Sequence, residues 1–246
     1  MTSFHQTGVL PAAIIAFGFA ILARVLRSVT EGGALAGAVV AFLLMNAGGL
    51  WAFVPLIVVF VLTLLATRWG AERKRSMGVA ERGGGRNTRQ VLANLAGAGV
   101  CALAALLFPR QSVLLMVGAM TVLAEAAADT VSSEVGQAAA SHPRMILSFE
   151  LTKPGTNGAV SLEGTLAGCI AASAVAWTAA LVGVVGVRWA PAIACAGIAG
   201  MLFDSILGAS LENRGKMGND AVNFVSTVFA ADLVLLTALL WQRSAL

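Results

Sequence analysis

The chain has 246 residues, of which 58% are hydrophobic and only 11% charged, and its mean hydropathy is +0.86. A soluble domain carries about 25% charged residues, so these figures exclude an ordinary water-soluble globular protein. The net charge of +4 does not call for nucleic acid, because in a membrane protein a basic excess belongs to the cytoplasmic loops.

Uncharged runs near the roughly 20 residues that cross a bilayer as a helix predict an all-α, polytopic membrane protein. Barrel strands would alternate with period two, and these runs do not. The first span is expected over Val9 to Leu26, with no basic segment before it to suggest a cleaved leader. Gly33 to Met45 and Trp51 to Thr67 are the second and third, separated by the turn signal Asn46-Ala-Gly-Gly. Residues 68–90 form a polar connection with seven of the sixteen basic residues. Val91 to Phe108 and Ser112 to about Ala128 follow, joined through Pro109. A motif-rich loop is predicted over 129–161. Leu162 to Val185, Ala190 to Ala209 and Ala221 to Trp241 complete eight spans in one integral membrane domain, 1–246.

Charge orients the array. With both termini outside, the inside connections hold thirteen basic residues and the outside ones three, Arg110, Arg188 and Arg243. This obeys the positive-inside rule, so an N-out, C-out topology in the plasma (inner) membrane is expected. The polar residues then gather at the cytoplasmic ends of the spans: Asn94, Glu125, Asp129, Ser161, Thr165, Asp204, Asp220 and Asn223. Ionisable groups in membrane helices are rare and usually functional.

Asp129 and Ser133 share a helix face with Glu125, and Glu134 lies on the flank. Carboxylates grouped this way suit Mg²⁺ completed by water and phosphate oxygens. In Lys153-Pro-Gly-Thr-Asn-Gly-Ala-Val-Ser161, the glycines bare backbone amides and Ser161 is placed to cap the next helix. Such turns and helix N-termini bind phosphate. Asp204 and Glu212 recur at helical spacing, and Asp220, Asn223 and Thr227 form a stripe on the last span. Asp232, near mid-span, has no evident partner. His5 and His142 are the only histidines, and Cys101, Cys169 and Cys195 sit in apolar runs, which makes a zinc or disulfide framework a poor fit.

Residues 128–136 (ADTVSSEVG), 153–165 (KPGTNGAVSLEGT), 203–209 (FDSILGA) and 219–227 (NDAVNFVST), with Gln90-Val-Leu-Ala-Asn94, resemble the membrane family that contains the plant phytyl-phosphate kinase. Segments around Asp129 and over Ser161–Gly168 are more distantly similar to dolichol kinases, phytol kinases and CDP-lipid synthases. Ala159 departs from the pattern, standing where a second glycine is expected. The resemblance implies an enzyme that uses CTP or another nucleoside triphosphate, with Mg²⁺, to phosphorylate a prenyl monophosphate (phytyl, geranylgeranyl or farnesyl phosphate) to the diphosphate. Asp129, Glu134, Asp204 and Asp220 would hold the metal. Lys153, Gly155, Thr156, Asn157, Gly158, Ser161 and Thr165 would hold the nucleotide phosphates, and Asn94, Ser133 and Asn223 the acceptor. Alternatives are a CDP-lipid-type nucleotidyltransferase and a transporter or flippase of a small anion or lipid phosphate. A homodimer is compatible with the sequence, and nucleic acid is not an expected partner. One geometric condition follows: the hairpin after Asp129 and the hairpin after Asp204 must meet.

Overall fold

On two of the helices small residues face inward and large ones outward, the reverse of a soluble bundle, whereas large side chains such as Leu44, Met116, Met120 and Ile193 are buried on others. In α1 (Val9–Val25), Ala12, Ala16, Ala20 and Ala23 are buried while Leu10, Ile14, Phe17 and Ile21 are exposed. In α7 (Leu162–Leu181), Gly164, Gly168, Ala171, Ala172 and Val175 are buried and Leu166, Ile170 and Trp177 exposed. Lipid solvates the outward-facing large side chains, so nothing drives those inside. Close van der Waals packing between small residues holds the helices together instead.

The computed structural model describes residues 8–79, 84–139 and 142–244, with side chains described to residue 240. The remaining helices are α2 (Glu31–Gly48), α3 (Phe53–Arg68), the short α4 (Ala71–Ser76), α5 (Thr88–Leu107), α6 (Ser112–Ala139), α8 (Ala190–Leu207) and α9 (Asn219–Ser244). Among the described residues seven segments are long and apolar enough to cross a membrane, and α1 is an eighth apolar helix of 17 residues. The chain is thus a polytopic helical membrane protein, as expected from its sequence. The break after Asn46 is real: Gly49, at φ +77°, and a 3-10 turn over Leu50–Ala52 separate α2 from α3. Local chemistry sets several other ends. Thr30 caps α2 through the Gly33 amide, Asn87 and Gln90 form a capping box on α5, and Ser161 caps α7 as its position suggested.

Helix α6 is the central post, with 78% of its spanning window buried against 39–44% in the other six segments. It touches α2, α3, α4, α5, α7, α8 and α9. Here the structure corrects the loop expected from residue 129, because α6 continues to Ala139. Asp129, Ser132 and Ser133 do not end the helix, since neighbouring elements pack around it and keep those groups out of lipid. Residues 140–141 of that loop and 80–83 of the basic connection lie outside the described residues. The rest of the motif loop carries a two-stranded antiparallel pair, β1 (Arg144–Met145) with β2 (Ala159–Val160).

All four basic connections gather at one end of the bundle. Arg86 pairs through its backbone with Ser28 and Thr30 (2.9 and 3.0 Å), and Arg68 Nη2 donates to Leu26 O at 2.9 Å. Lys74 pairs with Glu134, and Asn213 Nδ2 donates to Asn157 O at 2.9 Å. At the opposite end Gly48 lies against Met116 and Val184.

Candidate functional site

The two motif hairpins meet. Gly158, at φ +77°, lies so close to Ala209 that a β-carbon there would collide with that residue's backbone. Ala209 belongs to a π turn, Gly208–Glu212, that extends α8. Asn213 clamps the contact by donating to the Asn157 carbonyl. Enclosed beneath is a polar cavity of about 170 Å³, lined by Asp129, Ser132, Ser133 and Gln137 of α6, by residues 154–161, by Asp204, Ser205, Gly208 and Glu212, and by Asn219 and Asn223 of α9.

Glycines bring the helices this close. Gly164 and Gly168 of α7 lie against Ser132 and Ala128 of α6, and Gly197 and Gly200 of α8 against Ala124 and Glu125. Glu125, 1% exposed, sits one turn below Asp129. These carboxylates lie close together: Glu125 feels the charges of Asp129 and Asp204, Asp204 those of Asp129 and Glu212, and Asp129 that of Glu212. The Arg86 guanidinium also acts on Asp129.

Ser226 ties the deep side together. Its Oγ lies 2.7 Å from Glu125 Oε1, 3.2 Å from Asp204 Oδ2 and 2.9 Å from Asn223 O. One hydroxyl proton cannot serve three acceptors, and Glu125 Oε2 is buried with no partner among the described residues. The Asn223 amide, oriented to donate, reaches Asp204 Oδ2 at 3.3 Å and Asn219 O at 3.0 Å.

On the loop side, the Thr156 and Ala159 amides close turns onto Lys153 O and Thr156 O. Among the described residues the Gly155, Asn157 and Gly158 amides donate to no carbonyl. Ser161 Oγ accepts from Gly164 N at 3.1 Å. The cavity therefore has an acidic floor on α6 and α8 and an amide-rich roof, an arrangement able to hold phosphate groups bridged by a cation.

The sequence-derived set divides. Asp129, Ser133, Gly155, Thr156, Asn157, Gly158, Ser161, Asp204 and Asn223 all line the cavity. Lys153 is exposed at its edge, where its carbonyl holds Thr156 Oγ1 at 2.8 Å. Asp220 and Thr165 are half-buried outside the lining.

Glu134 is turned away altogether. It accepts from Thr67 Oγ1 at 3.2 Å and pairs with Lys74, whose ammonium also bonds the Ala66 and Thr67 carbonyls. Residue 134 follows Asp129 by five positions, about 140° around the helix, so it faces α3 and α4 instead of the cavity. Asn94 belongs to a second, apolar cavity, and Asp232 is exposed on the outer face of α9, near Cys101.

Ser226 escaped sequence reading, because the stripe on α9 was phased on Asp220, Asn223 and Thr227. The cavity-side stripe is Asn219, Asn223 and Ser226, and i, i+4, i+7 spacing from Asn219 would have found it. Lys74 gave no signal within the basic run AERKRS.

Comparison with known proteins places the chain. An uncharacterized membrane protein of Methanocaldococcus jannaschii is 30% identical over 219 residues, which is 85% of this chain and 85% of that protein. Protein PGR of Arabidopsis thaliana is 32% identical, covering 87% of this chain and 83% of its own length. Protein VTE6, chloroplastic, from the same plant is 32% identical over 72% of this chain, and the match spans 55% of VTE6. No solved structure matches. The family described as Integral membrane protein DUF92 matches residues 14–231, and the chain belongs to that family.

Proposed function

We propose that this protein is a membrane-embedded phosphotransferase that moves the γ-phosphoryl group of a nucleoside triphosphate, CTP by resemblance, onto a prenyl monophosphate. One observation carries the reading: Asp129, Asp204 and the Pro154–Ser161 loop line a single polar cavity at the end of an apolar bundle where the basic connections gather. The motif resemblance to the family of the plant phytyl-phosphate kinase supports the substrate class. The site would face the cytoplasm, where nucleotide is available.

The donor set fits a divalent cation, for Asp129, Asp204 and Glu212 line one small cavity with hydroxyl and amide groups, and behind them Glu125 Oε2 is buried with no partner among the described residues. Among the described residues no three His, Cys, Asp or Glu side chains converge on a metal position by themselves. That suits Mg²⁺, which is usually held by one or two carboxylates together with phosphate oxygens and water. Asp129 and Asp204 would hold it, and when bound it would neutralise charge on the transferring phosphoryl group. Glu134 and Asp220, candidates from the sequence, have no part in this set.

The chain's own residues do the positioning that phosphoryl transfer chiefly requires. The Gly155, Asn157 and Gly158 amides and the N-terminus of α7 receive nucleotide phosphates. Asn223 holds Asp204 in place, and Ser226 bridges Asp204 to Glu125. An acceptor phosphate oxygen attacks the γ-phosphorus, the bond from γ-phosphorus to the bridging oxygen breaks, and the products are nucleoside diphosphate and prenyl diphosphate. The acceptor is already anionic near neutral pH, so no strong general base is needed.

The test is incubation of purified protein with Mg²⁺, geranylgeranyl monophosphate and CTP labelled at either the α or the γ position. Label from the γ position in lipid supports the kinase. Label from the α position in lipid shows nucleotidyl transfer and overturns it, as does no product across phytyl, geranylgeranyl and farnesyl phosphates.

A further inference from the structure

A second cavity, larger than the polar one, lies outside the polar site. It encloses about 410 Å³ between α1, α2, α3 and α5, against Ala126 of α6. Its far end is apolar, lined by Phe19, Leu56, Val59 and Phe60, and Phe19 makes edge-on contacts with Phe60 and with Phe53 behind it, each 5.0 Å between ring centres. Along α3 the lining runs from Leu56 to Arg68, about 18 Å of helix rise and more than half of a hydrocarbon core of about 30 Å. At the end shared with the basic connections the lining changes to Arg27, Arg68, Arg75 and Arg86, with Lys74 already paired to Glu134 and no Asp or Glu among the described lining residues. Arg27 and Arg75 are exposed there.

Two buried polar atoms of this lining, Ser28 Oγ and Asn94 Oδ1, have no partner among the described residues. Asn94 is 9% exposed, and only its Nδ2 is used, on Gln90 O at 2.8 Å. Such groups are costly to bury unless something bonds them. A long apolar slot with a cationic mouth and unsatisfied polar groups is complementary to a lipid with one slender chain and an anionic head.

Arg86 links this cavity to the polar one. It lines the larger cavity, reaches Thr130 Oγ1 on α6 at 3.4 Å and acts on the charge of Asp129. A headgroup at the mouth would therefore lie beside the acidic floor of the polar site.

We infer that the cavity between α1, α2, α3 and α5 is the binding site for a single-chain lipid monophosphate, its chain running toward Phe19 and Phe60 and its phosphate held at the mouth by Arg27, Arg75 and Arg86. The identity of the chain as an isoprenoid rests on the kinase reading, whereas the slot and its charge do not.

Gly37 gives a clean test. Gly37 lines the slot and a β-carbon there meets nothing within 4 Å, so Gly37→Leu starts a side chain into the slot from a position with room for it and favours the helix. Binding of radiolabelled geranylgeranyl monophosphate to the purified full chain is measured without nucleotide, so failed phosphoryl transfer leaves this result standing and the reverse also holds. Gly37→Leu should weaken binding about tenfold or more, since it denies the chain its apolar burial, with the melting temperature kept. The pair Arg27→Gln and Arg75→Gln should weaken it about 25-fold, at about fivefold for each arginine near a membrane surface. The same pair should leave binding of uncharged geranylgeraniol unchanged.

A diazirine at the end of the chain should crosslink to Phe19, Leu56 or Phe60. Crosslinks confined to the outer helix faces, or equal binding by wild type and Gly37→Leu, would overturn the assignment. So would displacement of the probe by equimolar two-chain phosphatidylglycerol.

Discussion

Asp129 and Asp204 approach the polar cavity from different helices, and neither has an ion-pair partner within hydrogen-bonding distance among the described residues. Their removal should therefore act on chemistry more than on folding. Asp129→Asn and Asp204→Asn are each expected to lower phosphoryl transfer by about 10²–10³-fold, the range for losing one charge-stabilising group, with lipid binding and melting temperature retained. Rates with γ-labelled nucleotide beside lipid binding on the same preparations check this. Both residues were legible in the sequence, because a carboxylate inside an Ala-rich or Leu-rich span is conspicuous. Ser226 was not, since a serine in a membrane helix is unremarkable. Its importance comes from Glu125 and Asp204 converging on it from two other helices. Glu134 failed for a related reason: spacing along α6 gives its angle to Asp129 but not which neighbour occupies that side.

At the scale of elements, α4 is held in place by one buried cation. Lys74, 1% exposed, bonds the last carbonyls of α3 and pairs with Glu134 of α6. Losing one member of a buried pair strands the other, at a cost of about 3–5 kcal/mol. Lys74→Ala should lower thermal stability in detergent by that order, and Lys74→Met with Glu134→Leu should recover much of it. A metal-ligand role for Glu134 would instead show as lost activity at unchanged stability in Glu134→Gln. The contact between hairpins has its own test. Gly158→Ala must break a left-handed turn and push against Ala209, so activity should fall sharply. Gly218→Ala, with open space around it, should be neutral. The elements themselves were readable from apolar run length, and their ends from Thr30, Asn87 and Ser161. The extension of α6 to Ala139 was not readable, because polar residues that look like a helix leaving the membrane are here packed against α7, α8 and the motif loop.

For the whole molecule, the distribution of basic residues anticipated that four connections share one end, and the structure brings them together there. The larger cavity could not be foreseen. It depends on how α1, α2, α3 and α5 pack laterally, which run lengths and charge counts do not encode. Together the two cavities give one account: a lipid phosphate held in an apolar slot, a nucleotide held under the Pro154–Ser161 loop, and Asp129 and Arg86 between them. The most direct measurement uses proteoliposomes containing geranylgeranyl monophosphate, with CTP and Mg²⁺ supplied to one face at a time. Orientation is read from the accessibility of a cysteine placed at Asn213. The account predicts geranylgeranyl diphosphate only when nucleotide meets the face bearing Asn213, and its loss in Asp129→Asn. Product formed only with nucleotide at the opposite face, or equal product from wild type and Asp129→Asn, would contradict it.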